Sequence, residues 1–337
     1  KIIMLKTILI GFGNIAANYA DDIFMQKWFK YSTHLQVLRD HPDFYLKAIV
    51  DKNRNALDKA KLLGEIPEVK QNINELDDPD EFDVAVLAIP PEERVDIINK
   101  LPKVRAIIFE KPLATDISDA HKIIDLCQKR RIIAEVNFPR RFDEKLIESL
   151  KRLPNELGTL QSAFAIYGNG LNNNGSHLLD LTRMAIGDCI WVQSLANGLY
   201  DQISPIKNDL NIPFALGFKN EVKLLVQVIK FDSYREVYLD LWGTKGRLSF
   251  LHEGLFSAYS SLKRHRFSKY DNELENDNRL ISLMGQSNAM YNLYDYLKLK
   301  INNKDFSNKN LIHSLEVIEI IKNIEVSFLR KDERIFL

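Results

Sequence analysis

Short apolar runs alternate with helical patterns along the first 137 residues of the chain. The apolar runs predict β-strands, at 6–10, 45–50, 83–89, 105–109 and 132–137. Helical periodicity fills the gaps, over 14–40 with an interruption and at 53–63, 92–99 and 116–130. Alternation at this spacing is typical of a parallel sheet covered by helices. We therefore predict an α/β domain with a doubly wound, Rossmann-type sheet over residues 1–136.

The pattern of apolar positions changes beyond residue 137. Apolar and polar residues alternate with period two, which predicts strands near 158–168, 222–228 and 237–241, with a tight turn over 242–247. Helices are expected near 176–187, 288–301 and 309–328, and the polar stretch 268–287 is expected to be a mobile loop. Clustered strands favour a large, mostly antiparallel sheet. We predict an α+β domain over residues 137–337.

Composition narrows the classes of partner. The 337 residues suit two domains, and Lys plus Arg equals Asp plus Glu at 46 each. This balance gives no basic excess for nucleic acid or for an anionic membrane surface. No apolar run approaches the roughly 20 residues that cross a bilayer. Cys127 and Cys189 lack the spacing of metal ligands and suit a reducing compartment. We expect a cytoplasmic protein without a metal site.

A glycine-rich turn follows the first predicted strand. Gly11-Phe12-Gly13-Asn14-Ile15-Ala16 fits the pattern G-x-G-x-x-G/A. Gly11 permits a tight turn, Gly13 lets the backbone approach a pyrophosphate, and the small Ala16 allows the next helix to pack on the strand. The phosphates would meet N–H groups at the positive end of that helix. The turn predicts a dinucleotide site that includes residues 11–15.

The second predicted strand ends at Asp51, where a carboxylate can bind the adenosine ribose. The gap from Gly13 exceeds the usual 20 residues or so, and we attribute this to an insertion over 19–31 before a second helix that starts near Ser32. Asp51 would repel the 2′-phosphate of NADP and so favour NAD, whereas Lys52 could weaken this preference for NAD. We expect NAD, with NADP left possible.

Three further strands end in residues that can bind a ligand. Open parallel sheets bind ligands at the carboxyl ends of their strands. The residues expected there on the cofactor are Ala88, Ile89, Pro90, Glu110, Lys111 and Asn137.

The chain resembles the Gfo/Idh/MocA family, named after glucose–fructose oxidoreductase and inositol dehydrogenase, over nearly its whole length. The resemblance is carried by the glycine turn, Glu110-Lys111-Pro112, Asn137-Phe138 with Arg141-Phe142-Asp143, and the segment 175–181 that contains His177. It implies a nicotinamide cofactor and a sugar or polyol substrate. It also implies catalytic roles for Lys111 and His177, and substrate contacts from Arg141, Asn173, Asn174 and His177.

The implied chemistry is hydride transfer coupled to proton transfer. His177 titrates in the range useful for a general base, and Lys111 could hold the hydroxyl, stabilise an alkoxide or relay the proton. Two positions depart from the family. Asn173 stands where inositol-dehydrogenase-like members have Asp, which removes an Asp–His pair. Arg94 stands where many members have histidine, and it is expected either at the solvated surface or on an anionic group.

Three functions stay open at this stage. The leading one is an NAD(P)-dependent dehydrogenase or reductase acting on CH–OH groups of a sugar, polyol or sugar derivative. The alternatives are a family glycosidase that uses NAD transiently and a cofactor-binding regulator without catalysis. The resemblance also implies a homodimer or homotetramer formed through the C-terminal sheet.

Overall fold

The structure is a computed structural model that describes residues 4–195, 198–200, 204–275, 279–282 and 288–337, the stretch 279–282 by its backbone alone. Contacts divide the chain into two compact units. The first contains Lys1–Asp143 and Gln286–Leu315, and the second contains Glu144–Gly285 and Glu316–Leu337.

A parallel sheet of six strands forms the centre of the first unit. Its strands are β1 (Leu5–Ile10), β2 (Phe44–Val50), β3 (Glu68–Lys70), β4 (Val84–Leu87), β5 (Ala106–Glu110) and β6 (Ile133–Asn137). The order across the sheet is β3-β2-β1-β4-β5-β6, and every neighbouring pair is parallel. The order reverses between β1 and β4, where doubly wound sheets open a crevice for ligands.

The predicted strands of this sheet are confirmed, and so is the fold class. All residues of β4 and β6 are buried, because helices cover both faces of a parallel sheet and apolar runs without alternation are stable there. The sequence did not predict β3, which at three residues is too short to show a period. The helices of this part are α1 (Ile23–Trp28), α2 (His34–Asp40), α3 (Arg54–Leu62), α4 (Arg94–Asn99) and α5 (Ile117–Lys129).

The interrupted helix predicted over 14–40 is two short helices. Asp22 begins α1 by accepting from the N–H groups of Phe24 and Met25. Thr33 begins α2 in a reciprocal capping box with Gln36. Since each cap fixes its own helix start, the two helices are separate, and α2 begins close to the predicted start near residue 32.

A large mixed sheet forms the centre of the second unit. The elements of this part are α6 (Glu144–Leu157), β7 (Leu160–Tyr167), α7 (Ser176–Ile186), β8 (Cys189–Ser194), β9 (Leu199–Tyr200), β10 (Leu210–Asn211), β11 (Phe214–Phe218), β12 (Lys223–Val228), β13 (Tyr238–Gly243), β14 (Gly246–Leu251), β15 (Phe256–Arg264), β16 (Asn272–Leu274), β17 (Arg279–Ser282) and β18 (Ile335–Phe336). The sheet runs β16-β15-β14-β13-β7-β12-β11-β8-β18, with β17 also on β15. It is antiparallel except where β12 lies parallel to β7, which confirms the predicted mostly antiparallel sheet.

The predicted mobile loop over 268–287 is wrong for two segments. β16 pairs with the end of β15, and β17 pairs with its beginning. Backbone pairing needs no apolar side chains, and Glu273 in β16 contacts Arg266 at 3.0 Å and Lys263 at 3.7 Å. A polar edge strand therefore has the composition of a loop. Residues 276–278 and 283–287 of the predicted loop lie outside the described residues.

Two helices precede the last strand, α8 (Ala289–Asn303) and α9 (Lys309–Leu329). One face of α8 is buried in the core of the first unit through Met290, Leu293, Tyr294 and Leu297. The predicted boundary at residue 136 placed this helix with the C-terminal domain, whereas the structure groups it with the first unit. The apolar stripe of α8 predicts that the helix packs against a core, but only long-range contacts determine which of the two units provides that core. In the described ranges, no helix has both the length and the hydrophobicity needed to cross a membrane.

Candidate functional site

A cleft of about 550 Å³ opens at the carboxyl edge of the parallel sheet in the first unit. The residues predicted for the cofactor that line it are Gly11, Gly13, Asp51, Lys52, Ala88, Ile89 and Pro90. The structure thus brings together residues from the ends of β1, β2 and β4. The sequence did not point to Gln71, Asn72 and Glu93, which also line the cleft. The first two follow β3, the strand that gave no pattern.

The two glycines of the turn have different tasks. Gly11 has a φ of +89°, and a Cβ there would lie 2.3 Å from the carbonyl oxygen of Ala88. Gly11 therefore allows the ends of β1 and β4 to meet. A Cβ on Gly13 would meet nothing within 4 Å, although Gly13 lines the cleft. The open space beside its backbone fits a pyrophosphate group, and the fully buried Ala16 packs as predicted.

The helix predicted to begin at this turn is reduced to a single turn. Ala17 and Asn18 donate to the carbonyl of Gly13 at 2.9 and 3.3 Å, and α1 begins only at Ile23. A macrodipole grows with the number of aligned peptides, so its contribution to phosphate binding is smaller here than a long helix would give. Phosphate binding would then depend more on backbone N–H groups of the turn itself.

Asp51 joins the end of β2 to the glycine turn. Its Oδ2 accepts from the N–H of Phe12 at 2.5 Å, and its Oδ1 accepts from the N–H of Asn53 at 2.7 Å. These bonds fix the carboxylate at the cleft, and each oxygen keeps a further lone pair for a ribose hydroxyl. Nζ of Lys52 lies 2.7 Å from Glu93, which compensates the charge that could attract a 2′-phosphate. The residues present fit a dinucleotide with free ribose hydroxyls.

Arg94 is buried, with 1% of its surface exposed, so the interpretation as a solvated surface residue was wrong. Its guanidinium donates to the carbonyls of Ile89 at 3.1 Å, Pro112 at 2.5 Å and Leu113 at 2.8 Å. Burial lowers the pKa of Arg94 to about 10, against the opposing effect of Glu110. Arg94 connects the loop after β4 with the loop that contains Lys111.

Glu110 and Asn137 are partners at the ends of β5 and β6. Asn137 donates from Nδ2 to Oε1 of Glu110 at 2.6 Å. Oε1 also lies 2.8 Å from Nε2 of His34, which is fully buried. Among the side chains that the structure describes, Oδ1 of Asn137 is buried without a hydrogen-bond partner. The half-buried Lys111 follows Glu110 directly.

Arg141 is held by the C-terminal segment of the first unit. Its guanidinium lies 2.9 Å from Nδ1 of His313 and 3.4 Å from Oδ1 of Asn310. Asn310 donates in turn to Glu135 at 2.6 Å, and Glu135 pairs with Lys300 at 2.8 Å. Burial raises the pKa of Glu135, and Lys300 acts in the opposite direction. Sequence patterns could not show this network, because its partners are about 170 residues apart.

The second unit contains Asn173, Asn174 and His177. A π-helical turn, Gly170–Gly175, leads into α7 and places His177 in its first turn. The turn is held by the buried Asp209, which accepts from the N–H groups of Asn172 and Asn173, each at 3.0 Å. Asp209 is a residue that the sequence did not single out.

The amides at 173 and 174 have distinct surroundings. Nδ2 of Asn173 donates to the carbonyl of Asn169 at 3.2 Å, which a carboxylate could not do. This contact gives a structural reason for the departure from the family at that position. Nδ2 of the buried Asn174 lacks a hydrogen-bond partner within the described ranges, so it is a donor available to a ligand hydroxyl. Lys111 belongs to the first unit, whereas His177 belongs to the second.

Comparisons with known proteins agree with this geometry. The family described as oxidoreductase family, NAD-binding Rossmann fold (GFO_IDH_MocA) matches residues 5–138. Comparison with curated proteins finds no significant match.

Solved structures resemble the chain over almost its full length. An oxidoreductase from Thermotoga maritima has a TM-score of 0.74 at 16% identity, covering 99% of this chain and 98% of its own. Levoglucosan dehydrogenase in complex with NADH and L-sorbose has a TM-score of 0.69 at 16% identity, and the match covers 99% of both chains. A 3-ketoreductase from Actinomadura kijaniata, in complex with TDP-benzene and NADP, has a TM-score of 0.71 at 13% identity. The match covers 96% of this chain and 98% of the other.

At these identities, similarity to solved structures establishes the fold alone. The cofactor class comes from the family match, in agreement with the cleft and its glycine turn. Residues 5–138 are thus an NAD-binding Rossmann domain of the Gfo/Idh/MocA oxidoreductase family.

Proposed function

We propose that the protein is an NAD(P)-dependent oxidoreductase that transfers a hydride between the nicotinamide and a hydroxyl or carbonyl of a sugar, polyol or sugar derivative. The observation that carries the proposal is that the glycine turn, Asp51 and residues 88–90 line one and the same cleft. Two similar structures support the substrate class. One is levoglucosan dehydrogenase with L-sorbose, and the other is a 3-ketoreductase with TDP-benzene.

The bound nicotinamide would supply the hydride acceptor or donor, and the side chains would manage the proton and the charge. Lys111 provides a cation at the carboxyl edge of the sheet, suited to hold the reacting oxygen and stabilise an alkoxide. His177 is the proposed general base, because a neutral imidazole can take the hydroxyl proton near neutral pH. Asn174 offers its Nδ2 donor, and Asn173 and Arg141 are further proposed substrate contacts.

A substrate screen tests the proposal directly. The protein is incubated with NAD or NADP and a panel of sugars, polyols and nucleotide-sugars, and the absorbance of the reduced nicotinamide is followed. A dehydrogenase gives steady formation of reduced cofactor. A glycosidase would release product without net change in absorbance, and a regulator would bind the cofactor without turnover. Either of those two results would replace the proposed reaction.

Cofactor preference gives a first prediction. We expect NAD to bind at least tenfold more tightly than NADP, and Asp51→Ala to narrow the gap, because hydrogen bonds to a charged group contribute about 1.5–3 kcal/mol. Calorimetric dissociation constants for both cofactors check this. Asp83→Ala is the matched control, since Asp83 precedes β4 at the opposite edge of the sheet, where it bonds Lys6. Preference for NADP in the parent protein would contradict the assignment of Asp51.

We also propose that copies of the chain associate through the open face of the sheet in the second unit. Leu225 and Trp242 are about 40% exposed on this face. Light scattering after size-exclusion chromatography should give a dimer or tetramer, and Leu225→Lys should shift it toward the monomer. A monomeric parent protein would overturn this part of the proposal.

A further inference from the structure

We infer that His34 and Tyr294 are positioning residues for the nicotinamide end of the cofactor, which they serve by fixing Glu110 and Asn137. This inference rests on the proposed function and adds to it two residues outside every motif of the family resemblance. Both side chains are fully buried in the first unit, one in α2 and the other in α8.

The four polar groups form one continuous chain of hydrogen bonds. The hydroxyl of Tyr294 lies 2.8 Å from Nδ1 of His34, and Nε2 of His34 lies 2.8 Å from Oε1 of Glu110. The same Oε1 accepts from Nδ2 of Asn137 at 2.6 Å. The chain leads from the core to the carboxyl edge of β5 and β6, where Glu110 and Asn137 face each other in register.

The donors and acceptors of this chain have a consistent direction. Burial raises the pKa of Tyr294 well above its ordinary value, so the hydroxyl keeps its proton and can donate to Nδ1 of His34. His34 then carries its proton on Nε2 and donates it to Glu110. Because an ionised carboxylate only accepts, Asn137 must turn its NH₂ group toward Glu110. Its carbonyl oxygen, Oδ1, is thereby directed away from Glu110, and this is the buried atom for which the described residues provide no hydrogen-bond partner.

The topology places this acceptor at the nicotinamide end. The adenosine ribose belongs at Asp51 after β2, and the pyrophosphate belongs at the turn after β1. A dinucleotide that extends along the edge from there passes the end of β4 and reaches β5 and β6, given the order β2-β1-β4-β5-β6. Oδ1 of Asn137, an acceptor at the end of β6, suits the carboxamide NH₂ or a ribose hydroxyl of the nicotinamide half.

The complete burial of His34 and Tyr294 indicates that their hydrogen bonds do more than fill space in the core. A buried histidine and tyrosine hydroxyl must be desolvated, and their mutual hydrogen bonds at best offset this cost. Apolar residues of similar volume would fill the same space without it. Instead, the hydroxyl of Tyr294 bonds His34, and the second ring nitrogen of His34 bonds Glu110.

The test compares two ligands, NADH and ADP, on three variants. ADP contains the adenosine and the pyrophosphate but lacks the nicotinamide half. We expect His34→Gln to weaken NADH binding about tenfold, and Tyr294→Phe about threefold, with ADP affinity unchanged within twofold. The control is His41→Gln. His41 is also buried and directly follows α2, but it bonds Asp295 at 3.1 Å and stacks on Tyr291. The His41→Gln substitution should reduce stability without changing the affinity for NADH or for ADP.

The outcomes separate this inference from the proposed function. If the parent protein binds neither ligand, the proposed function fails. If the parent binds both and the variants at 34 and 294 keep parental NADH affinity, the positioning role is refuted. Equal losses for NADH and ADP, or the same loss in His41→Gln, would also refute it, because they indicate a general structural effect. Tyr294→Phe removes one hydroxyl and keeps the ring, so it answers the question even if His34→Gln folds poorly.

Discussion

Lys111→Met is expected to lower turnover about 10²–10³-fold on the substrate that the screen identifies, with NADH affinity changed far less. Methionine keeps much of the length of the side chain and removes its charge. The loss of one preorganised group that stabilises developing charge typically has this effect on rate. Lys111 follows Glu110 at the carboxyl end of β5, next to the edge where the cleft lies. Steady-state kinetics measures the rate, and fluorescence titration with NADH measures binding.

A loss of positive charge elsewhere in the first unit provides the control for Lys111→Met. Lys122 in α5 is exposed and pairs with Asp119 at 2.7 Å, so Lys122→Met should keep parental kinetics. Turnover of Lys111→Met within threefold of the parent protein would show that another group stabilises the reacting oxygen.

Arg94→Met is expected to lower the free energy of unfolding by about 3 kcal/mol. The substitution removes the donors of three backbone carbonyls, and an unpaired buried acceptor costs about 1–3 kcal/mol. Relaxation and hydration of the loops recover part of that sum. Urea denaturation followed by circular dichroism measures the change. Because the loops that Arg94 connects contain Ile89 and Lys111, we also expect weaker NADH binding in the folded variant.

An exposed arginine is the control for Arg94→Met. Arg39 contacts Glu65 at 3.5 Å and is about half exposed, so Arg39→Met should change stability by less than about 0.5 kcal/mol. An Arg94→Met protein as stable as Arg39→Met would mean that water or a neighbouring side chain satisfies the three carbonyls. Arg94 would then not hold the two loops.

Local patterns in the sequence determined the architecture of the first unit. Strands that are buried on both faces consist of short apolar runs, and the segments between these runs are long enough for the crossover helices of a parallel sheet. The glycine turn and Asp51 could be found because neighbours along the chain define their geometry. Helix caps also act locally, and those at Asp22 and Thr33 divide the stretch 14–40 into the two helices on either side of the turn.

Groups that are far apart in the chain decided the rest. Tyr294 and His34 are 260 residues apart and Arg141 and His313 are 172 apart, so neither partner predicts the other. Arg94 looked like a surface residue because an arginine is normally exposed, and only the loops around it show that three carbonyls satisfy it.

The sequence by itself determined five of the six strands of the parallel sheet and the residues that stand at their carboxyl ends. The tertiary structure decided that α8 belongs to the first unit, that β16 and β17 pair with β15, and how Glu110 and Asn137 are held. The physical reason is the range of the interactions. Periodicity and turns depend on residues a few positions apart, whereas burial and side-chain hydrogen bonds depend on partners that only the folded chain brings together.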